Sequence, residues 1–135
     1  MVKDSCLCLH VQRAARALAR RFDEELRPFG LTNGQFSLLM SLSRPEPPPM
    51  GPVASLLAMD RTTLTAALKP LVRRGFVKID SDPSDRRSRI LILTAKGRSI
   101  LARALPVWQS THERIEALAP GIDWNELRRN LRVIC

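Results

Sequence analysis

The sequence predicts a mainly α-helical protein with one small β-hairpin. Three observations support this fold class. Apolar residues recur at helical spacing in the first and last parts of the chain, two short β-branched runs lie close together in its second half, and turn residues separate the segments. The chain has 135 residues, of which 44% are hydrophobic, so residues 1–135 are expected to fold as one domain.

The first third of the chain predicts two helices. Apolar residues share one face of a helix from about Leu7 to Arg27, and Pro28 helps to end it. Thr32 and Gln35 then have the spacing of a capping box, in which each side chain satisfies a backbone N–H of the other residue. A second helix is therefore expected to begin here and to run to about Leu42.

A proline-rich segment, "SRPEPPPMGP", follows the second helix. Five prolines between Arg44 and Val53 exclude a helix and predict a stiff, extended connection. Pro52 suits the first position of a short third helix, "PVASLLAM". Asp60 is expected to cap a fourth helix, "RTTLTAALKPLVRRG", which Gly75 ends. Pro70 removes one backbone donor from this helix, so we expect a kink or a tightened end.

The pattern then changes to the period of β-strands. The runs "FVKID" and "RILIL" predict a hairpin, and the connecting loop is expected to be "DPSDRRSR", Asp82 to Arg89. A long helix should begin after Thr94 and bend at Pro106, and a last helix contains Trp124. This order of elements predicts a winged helix-turn-helix over residues 31–93.

The outer helices, residues 1–30 and 94–135, carry apolar stripes that the small chain cannot cover by itself. An apolar face that is not buried within a chain is commonly buried against a second copy of that chain. We therefore expect both chain ends to form the interface of a homodimer.

Positive charge is concentrated in one part of the chain. The net charge is +9, and residues 61–98 contain ten Lys or Arg against three Asp, a balance of +7. Such segregation is typical of a module that binds a polyanion, because neutralising phosphates releases condensed counterions. A solvated face of mixed charge is the alternative interpretation.

The fourth helix and the hairpin supply the residues expected to contact double-stranded DNA. Leu64, Leu68 and Leu71 repeat at helical spacing and should face the core, which leaves hydroxyl, methyl and cationic groups on the opposite side. Hydroxyls can meet bases or phosphates, and methyl groups can pack on thymine in the major groove. An ordinary exposed polar helix is the alternative. The expected DNA-binding residues are Arg61, Thr62, Thr63, Thr65, Ala66, Lys69, Arg73, Arg86, Arg87 and Arg89.

The hairpin loop combines arginines with two acids. An arginine near the tip of a wing can enter a narrow minor groove, where the guanidinium is attracted. Asp82, followed by Pro83, favours the turn itself. Asp85 is expected to pair with Arg87 or Arg89 and to hold the loop rigid. The acids are therefore expected to shape the wing.

Two stretches resemble the MarR family of bacterial transcription regulators: "GLTNGQFSLLMSL" and "VASLLAMDRTTLTAALKPLVRRGFVKIDSDPSDRRSRILILTAKG". The resemblance covers most of the chain and is most specific in "LVRRGFV" and in the arginine-rich wing followed by "LTAKG". It implies a dimeric winged helix-turn-helix that binds a pseudo-palindromic operator and usually represses a nearby gene until a small molecule or an oxidant weakens DNA binding. It also implies that the recognition helix starts near Arg61, and that Asp85 and Arg87 match the family's Asp-x-Arg wing pattern. Pro70 and the proline-rich segment 45–52 are less usual.

The resemblance further implies a ligand pocket between the dimerising helices and the DNA-binding lobe. A cationic rim with aromatic side chains would suit an aromatic acid, so we expect a small aromatic or phenolic effector. Arginines on a solvated face and aromatic residues in the core are the alternative interpretation. The expected lining is Arg13, Arg16, Arg20, Phe36, Trp108 and His112.

Three cysteines near the chain ends, Cys6, Cys8 and Cys135, offer an alternative trigger. Some peroxide-sensing members of the family link such cysteines between subunits, although that branch also uses tyrosines and this chain has none. Reactivity requires a lowered thiol pKa. A redox-sensing repressor of the same fold is therefore an open alternative.

Other classes of function have little support from the residues. With two histidines, no glycine-rich phosphate loop and no paired acids, the chain is not expected to be an enzyme or to hold a cofactor. The ligand spacing of "CLCLH" is not that of a typical zinc site, so no metal is expected. No signal peptide or bilayer-spanning run is seen, which predicts a cytoplasmic protein without membrane association. A winged helix that docks a protein, and a nucleoid-type DNA binder without a defined operator, are further alternatives.

Overall fold

The computed structural model describes residues 1–135 and confirms the predicted fold class: a mainly helical winged helix-turn-helix with a single two-stranded hairpin. A short 3₁₀ turn spans Arg27–Phe29. The helices are α1 (Val2–Ser5), α2 (Leu7–Leu26), α3 (Asn33–Ser41), α4 (Met50–Leu56), α5 (Arg61–Arg73), α6 (Ala95–Glu116) and α7 (Trp124–Ile134), and the antiparallel strands are β1 (Val77–Asp82) and β2 (Asp85–Leu93). None of the helices is long and apolar enough to cross a bilayer.

One apolar core joins α3, α5, the hairpin and α6. Leu64, Leu68 and Leu71 of α5 are completely buried in it, as their spacing predicts. Burying each leucine contributes about 1.5–3 kcal/mol, so this row holds α5 firmly against the rest of the protein. The opposite side of α5 consequently faces solvent.

Local capping signals read from the sequence are confirmed. Thr32 and Gln35 form the reciprocal capping box of α3. The side chain of Asp60 accepts a hydrogen bond from the backbone N–H of Thr63 at 2.7 Å, and α5 begins there. Gly75 ends α5 with a left-handed φ of 78°, a conformation that glycine adopts without strain.

The C-terminal end of the proline-rich segment is helical, whereas an extended connection was predicted. The helix α4 starts at Met50 rather than at Pro52, and Pro49 is its N-cap. Pro52 is tolerated in the first turn, because the backbone N–H groups there have no intrahelical acceptor and the missing N–H of proline costs no hydrogen bond. Before this point, the carbonyl of Pro48 accepts a hydrogen bond from the backbone N–H of Leu91 at 2.9 Å. The extended prolines therefore pair with the outer edge of β2, a contact that the sequence did not reveal.

The expected hairpin loop is mostly strand. Only Pro83 and Ser84 form the turn, so the arginines lie on β2 rather than in a loop. The ladder is irregular here, because Ser81 pairs with Arg89 whereas Asp82 already pairs with Asp85. Residues 86–88 therefore have no partner on β1 in the ladder. Such irregularities bend a strand and redirect its side chains.

Gly97, in the first turn of α6, packs directly against the base of the hairpin. A Cβ atom at this position would lie 2.3 Å from the carbonyl oxygen of Phe76 and 2.7 Å from Cδ1 of Leu93. A contact this short to a backbone atom would force α6 away from the hairpin.

Substituting Gly97→Ala should lower the free energy of unfolding by about 2 kcal/mol, because overpacking outweighs the better helix propensity of alanine. Urea unfolding monitored by circular dichroism measures the change. Gly121→Ala is the matched control, since no atom lies within 4 Å of a Cβ built there. Equal stability of the Gly97 variant and the parent protein would show that the packing is not as tight as described.

Candidate nucleic-acid interface

The solvent face of α5 contains all seven helix residues that the sequence singles out for DNA contact. Each of them is exposed: Arg61, Thr62, Thr63, Thr65, Ala66, Lys69 and Arg73. The hydroxyl of Thr65 donates to the carbonyl of Arg61 at 2.8 Å, so its proton is used within the helix while its oxygen can still accept a hydrogen bond. The face thus combines small hydroxyl and methyl groups with three cations.

Asp60 fixes the start of this helix. The backbone N–H of Thr63, and then the hydroxyl of Thr63, hold the pKa of Asp60 below its ordinary value. The carboxylate is therefore ionised at neutral pH and stays near the positive end of the helix dipole. This cap fixes the start of α5, so Arg61 and Thr62 lie in its first turn.

The two acids of the wing make backbone contacts. Oδ1 of Asp82 accepts hydrogen bonds from the backbone N–H and the hydroxyl of Ser84, at 2.9 and 2.8 Å. These bonds, the backbone one first, lower the pKa of Asp82. Asp82 therefore stabilises the turn, as expected.

The expected pairing of Asp85 with an arginine side chain was wrong. Oδ1 of Asp85 instead accepts a hydrogen bond from the backbone N–H of Arg87 at 3.0 Å, and neither Arg87 nor Arg89 forms an ion pair. A backbone N–H two residues away lies within easy reach of a short aspartate side chain. The guanidinium groups of all three wing arginines are left exposed and free of internal partners.

Three of the ten cations in the basic segment are engaged within the chain. The side chains of Arg74 and Lys96 hydrogen-bond to backbone carbonyls, and Nζ of Lys78 lies 3.6 Å from the carboxylate of Asp80. Counting charge along the sequence therefore overestimates what is available to a ligand. The exposed cations without internal partners are Arg61, Lys69, Arg73, Arg86, Arg87, Arg89 and Arg98.

Three residues of the expected ligand pocket come together between α2, α3 and α6. The Trp108 ring stacks on the buried Phe36 ring at 5.6 Å and lies 4.9 Å from the His112 ring, measured between ring centroids. A cleft of about 330 Å³ opens beside them. It is lined by Ala15, Leu18, Ala19, Phe22, Asn33, Ser37, Trp108 and His112.

The expected cationic rim was wrong, because Arg13, Arg16 and Arg20 do not line this cleft. Successive helical residues are about 100° apart, which places these arginines on the side of α2 away from Leu18 and Phe22. The sequence could have indicated the correct face, since Leu18 and Phe22 belong to the apolar stripe of α2. The cleft is aromatic and uncharged rather than cationic.

His112 contributes a neutral ring to this cleft. Partial burial, and then the charge of Arg128, lower the pKa of His112. Nδ1 of His112 lies 3.3 Å from Glu116, but Arg128 forms an ion pair with the same carboxylate and offsets its charge. At neutral pH the imidazole is therefore uncharged.

The three cysteines are free thiols. Cys8 and Cys135 are exposed, and Cys6 is half-buried. Thiol-based regulation through these residues stays a prediction.

Comparisons with known proteins agree with this geometry. A sequence model described as "MarR family" matches residues 31–88. The HTH-type transcriptional regulator TtmR of Methylorubrum extorquens is 36% identical over 97 residues, covering 72% of this chain and 50% of TtmR. The transcriptional regulator HosA of Escherichia coli O111:H- is 35% identical over 85 residues, covering 62% of each protein. The chain thus spans about half to three fifths of these curated relatives.

Solved structures match over nearly the whole chain. The Mycobacterium tuberculosis transcriptional regulator MosR in complex with DNA is 36% identical, with a TM-score of 0.83 over 96% of this chain and 93% of MosR. The transcriptional repressor CouR bound to a 23-mer DNA duplex is 31% identical, with a TM-score of 0.78 over 98% of this chain and 92% of CouR. The fold and these relatives define a class of transcription regulators, not of enzymes. Within that class, the chain belongs to the MarR family.

Proposed function

We propose that this protein is a homodimeric transcription regulator that binds a pseudo-palindromic DNA duplex. The α5 helix of each subunit enters a major groove, and the wing of each subunit follows the adjacent minor groove. The observation that carries this proposal is the set of seven exposed, internally unpaired cations between Arg61 and Arg98. The DNA complexes of MosR and CouR support it. The proposed location is the cytoplasm, where the DNA that the protein would bind is found.

The roles within the interface follow from the chemistry of each element. A helix of 13 residues is about 20 Å long, which suits one passage through a major groove. Its threonines and Ala66 are proposed to meet base edges, while Lys69 and Arg73 neutralise phosphates. The wing arginines are proposed to enter the minor groove, because their guanidinium groups have no internal partner to leave.

Removing the wing charges should reduce both the affinity for DNA and its dependence on salt. Each neutralised phosphate contributes about 0.9 to the slope of log K against log salt concentration, so Arg86→Ala with Arg87→Ala in both subunits should lower the slope by roughly two to four. Fluorescence anisotropy over a series of salt concentrations measures this change.

The matched control is Arg13→Ala with Arg16→Ala, which removes the same charge from the exposed face of α2. The control is expected to leave the slope within about one unit of the parent value, because only diffuse electrostatics change. Equal slopes for the wing variant and the parent protein would exclude the wing from the interface.

The homodimer is proposed to form through residues 1–30 and 94–135, leaving residues 31–93 as the DNA-binding lobe of a single domain. Apolar side chains on these end segments are exposed although they lie at regular helical spacing, including Leu7 and Val11 on α2 and Leu127 and Leu131 on α7. No residue of α7 is buried within the chain. A second copy would cover these faces.

Placing charges on the apolar face of α7 should therefore separate the subunits. Leu127→Glu with Leu131→Glu is expected to convert the dimer into a monomer, because ionised side chains resist burial without partners. Sedimentation velocity measures the change in mass. Val133→Glu is the control on the opposite side of the same helix, at a residue that is 86% exposed. A dimeric double variant would place the interface elsewhere.

The regulator is further proposed to act as a repressor that a small, uncharged aromatic ligand releases from DNA. The name of CouR as a transcriptional repressor supports the direction of regulation. The aromatic cleft beside Trp108 and the neutral His112 support the class of ligand, because an aromatic ring would stack there whereas a carboxylate would find no cation in the lining.

The proposed ligand class is tested by comparing naphthol with naphthoate. In a Trp124→Phe background, where Trp108 is the remaining tryptophan, naphthol should quench the fluorescence and weaken DNA binding by about tenfold, a typical allosteric coupling. Naphthoate should bind at least about tenfold more weakly, since its charge would be desolvated without a partner. Tighter binding of naphthoate would restore the cationic rim as the better interpretation.

A further inference from the structure

The motifs "LVRRGFV" and "LTAKG", in which the family resemblance is most specific, contact each other in the structure. The first ends α5 and starts β1, and the second caps and starts α6. Nζ of Lys96 donates a hydrogen bond to the carbonyl of Arg74 at 2.9 Å, and the hydroxyl of Thr94 lies 2.6 Å from the carbonyl of Gly75. The sequence alone did not indicate that these residues contact one another.

Arg74 extends this cluster to Gly30, which ends the 3₁₀ turn after α2. Its Nη1 atom donates to the carbonyl of Gly30 at 2.6 Å. Gly30 has a left-handed φ of 66°, and a Cβ atom there would lie 2.9 Å from Nη2 of Arg74. Arg74 is therefore held in a fitted position and is not free to extend towards a ligand.

Phe76 lies at the centre of the cluster. Phe76 is 5% exposed, with the guanidinium of Arg74 4.7 Å and the ammonium of Lys96 5.4 Å from the centroid of its ring. Cations near an aromatic face are attracted to it. Gly97 packs on the Phe76 carbonyl, so α6 lies directly against the same residue.

The position of this cluster in the chain gives it a role. The chain passes between the proposed dimerisation segments and the DNA-binding lobe twice, after Gly30 and before Thr94. Arg74 bonds to the residue at the first crossing, and Lys96 and Thr94 bond to the end of α5 from the second crossing. The end of the recognition helix is thereby tied to both segments at once.

We propose that Arg74 and Lys96 are positioning residues that fix the angle between the recognition helix and the dimerisation helices, and so set the half-site spacing that the dimer accepts. The spacing role depends on the function proposed above, whereas the rigidity of the cluster does not. In a symmetric dimer, any change of this angle moves the two recognition helices relative to each other. The accepted distance between half-sites follows from that separation.

The rigidity is tested without DNA. Spin labels are attached at Lys69→Cys on α5 and Gln109→Cys on α6, in a background with Cys6→Ser, Cys8→Ser and Cys135→Ser, and labelled chains are diluted with unlabelled ones. Double electron–electron resonance should give one narrow distance distribution for this protein. Arg74→Met and Lys96→Met should each broaden it, because methionine keeps an unbranched apolar stem but cannot donate the hydrogen bond.

Two further variants serve as controls. Arg73→Met removes the neighbouring charge, which has no internal partner, and should leave the distribution narrow. Lys96→Arg keeps a donor for the Arg74 carbonyl and should keep the distance distribution narrow. The comparison of Lys96→Met with Lys96→Arg therefore tests the proposal even if Arg74→Met does not fold. Unchanged distributions in both Lys96→Met and any folded Arg74→Met would overturn the proposal.

The spacing role is tested with duplexes that the parent protein selects from a randomised library of about 30 base pairs, made again with one base pair inserted or removed at the dyad. One base pair turns a half-site by about 34°, so the parent protein should lose about tenfold or more in affinity. Arg74→Met should reduce this discrimination to about threefold or less with an unchanged salt slope, whereas Arg73→Met should lower the slope and keep the discrimination.

The outcomes separate the two proposals. Parental discrimination with a reduced salt slope in Arg74→Met would make Arg74 a phosphate contact and overturn its positioning role. A parent protein that selects no duplex would contradict the proposed function, and the distance measurement would still decide whether the cluster is rigid.

Discussion

The burial of one side of α5 is the constraint on which the rest of the structure depends. Leu64, Leu68 and Leu71 are completely buried, and this row fixes which side of the helix faces the core. Because the helix cannot rotate without exposing these leucines, its hydroxyl, methyl and cationic groups must face solvent. The same apolar contact that stabilises the fold therefore presents the candidate DNA-binding surface, and no separate device is needed to expose it.

Electrostatics then divide the basic residues into two groups. Arg74 and Lys96 donate to backbone carbonyls, so they serve the architecture, whereas the wing arginines have no partner within the chain. Aspartates at the start of α5 and in the wing accept hydrogen bonds from nearby backbone N–H groups. Their negative charge is thus used in shaping local structure. The acids near the basic surface are compatible with phosphate binding for this reason.

The parts of the fold that depend on neighbours in sequence could be predicted. The capping box of Thr32 and the cap at Asp60 involve atoms three residues apart, and the leucine row of α5 follows from helical period alone. Contacts between distant segments could not be predicted. The pairing of Pro48 with β2 requires two remote segments to meet, and the lining of the aromatic cleft depends on which face of α2 packs against α6. The family resemblance implied a pocket between the dimerising helices and the DNA-binding lobe, but it could not indicate the charge of a cleft whose lining depends on that packing.

Hydroxyl-radical footprinting on the DNA upstream of the protein's own gene tests the central claim most directly. Two recognition helices related by a dyad predict two protected half-sites centred about 10 base pairs apart, or a multiple of that distance, with protection symmetric about the midpoint. The pattern should disappear at high salt, where phosphate contacts weaken. Uniform protection along the duplex, or no protection at low salt, would contradict the account.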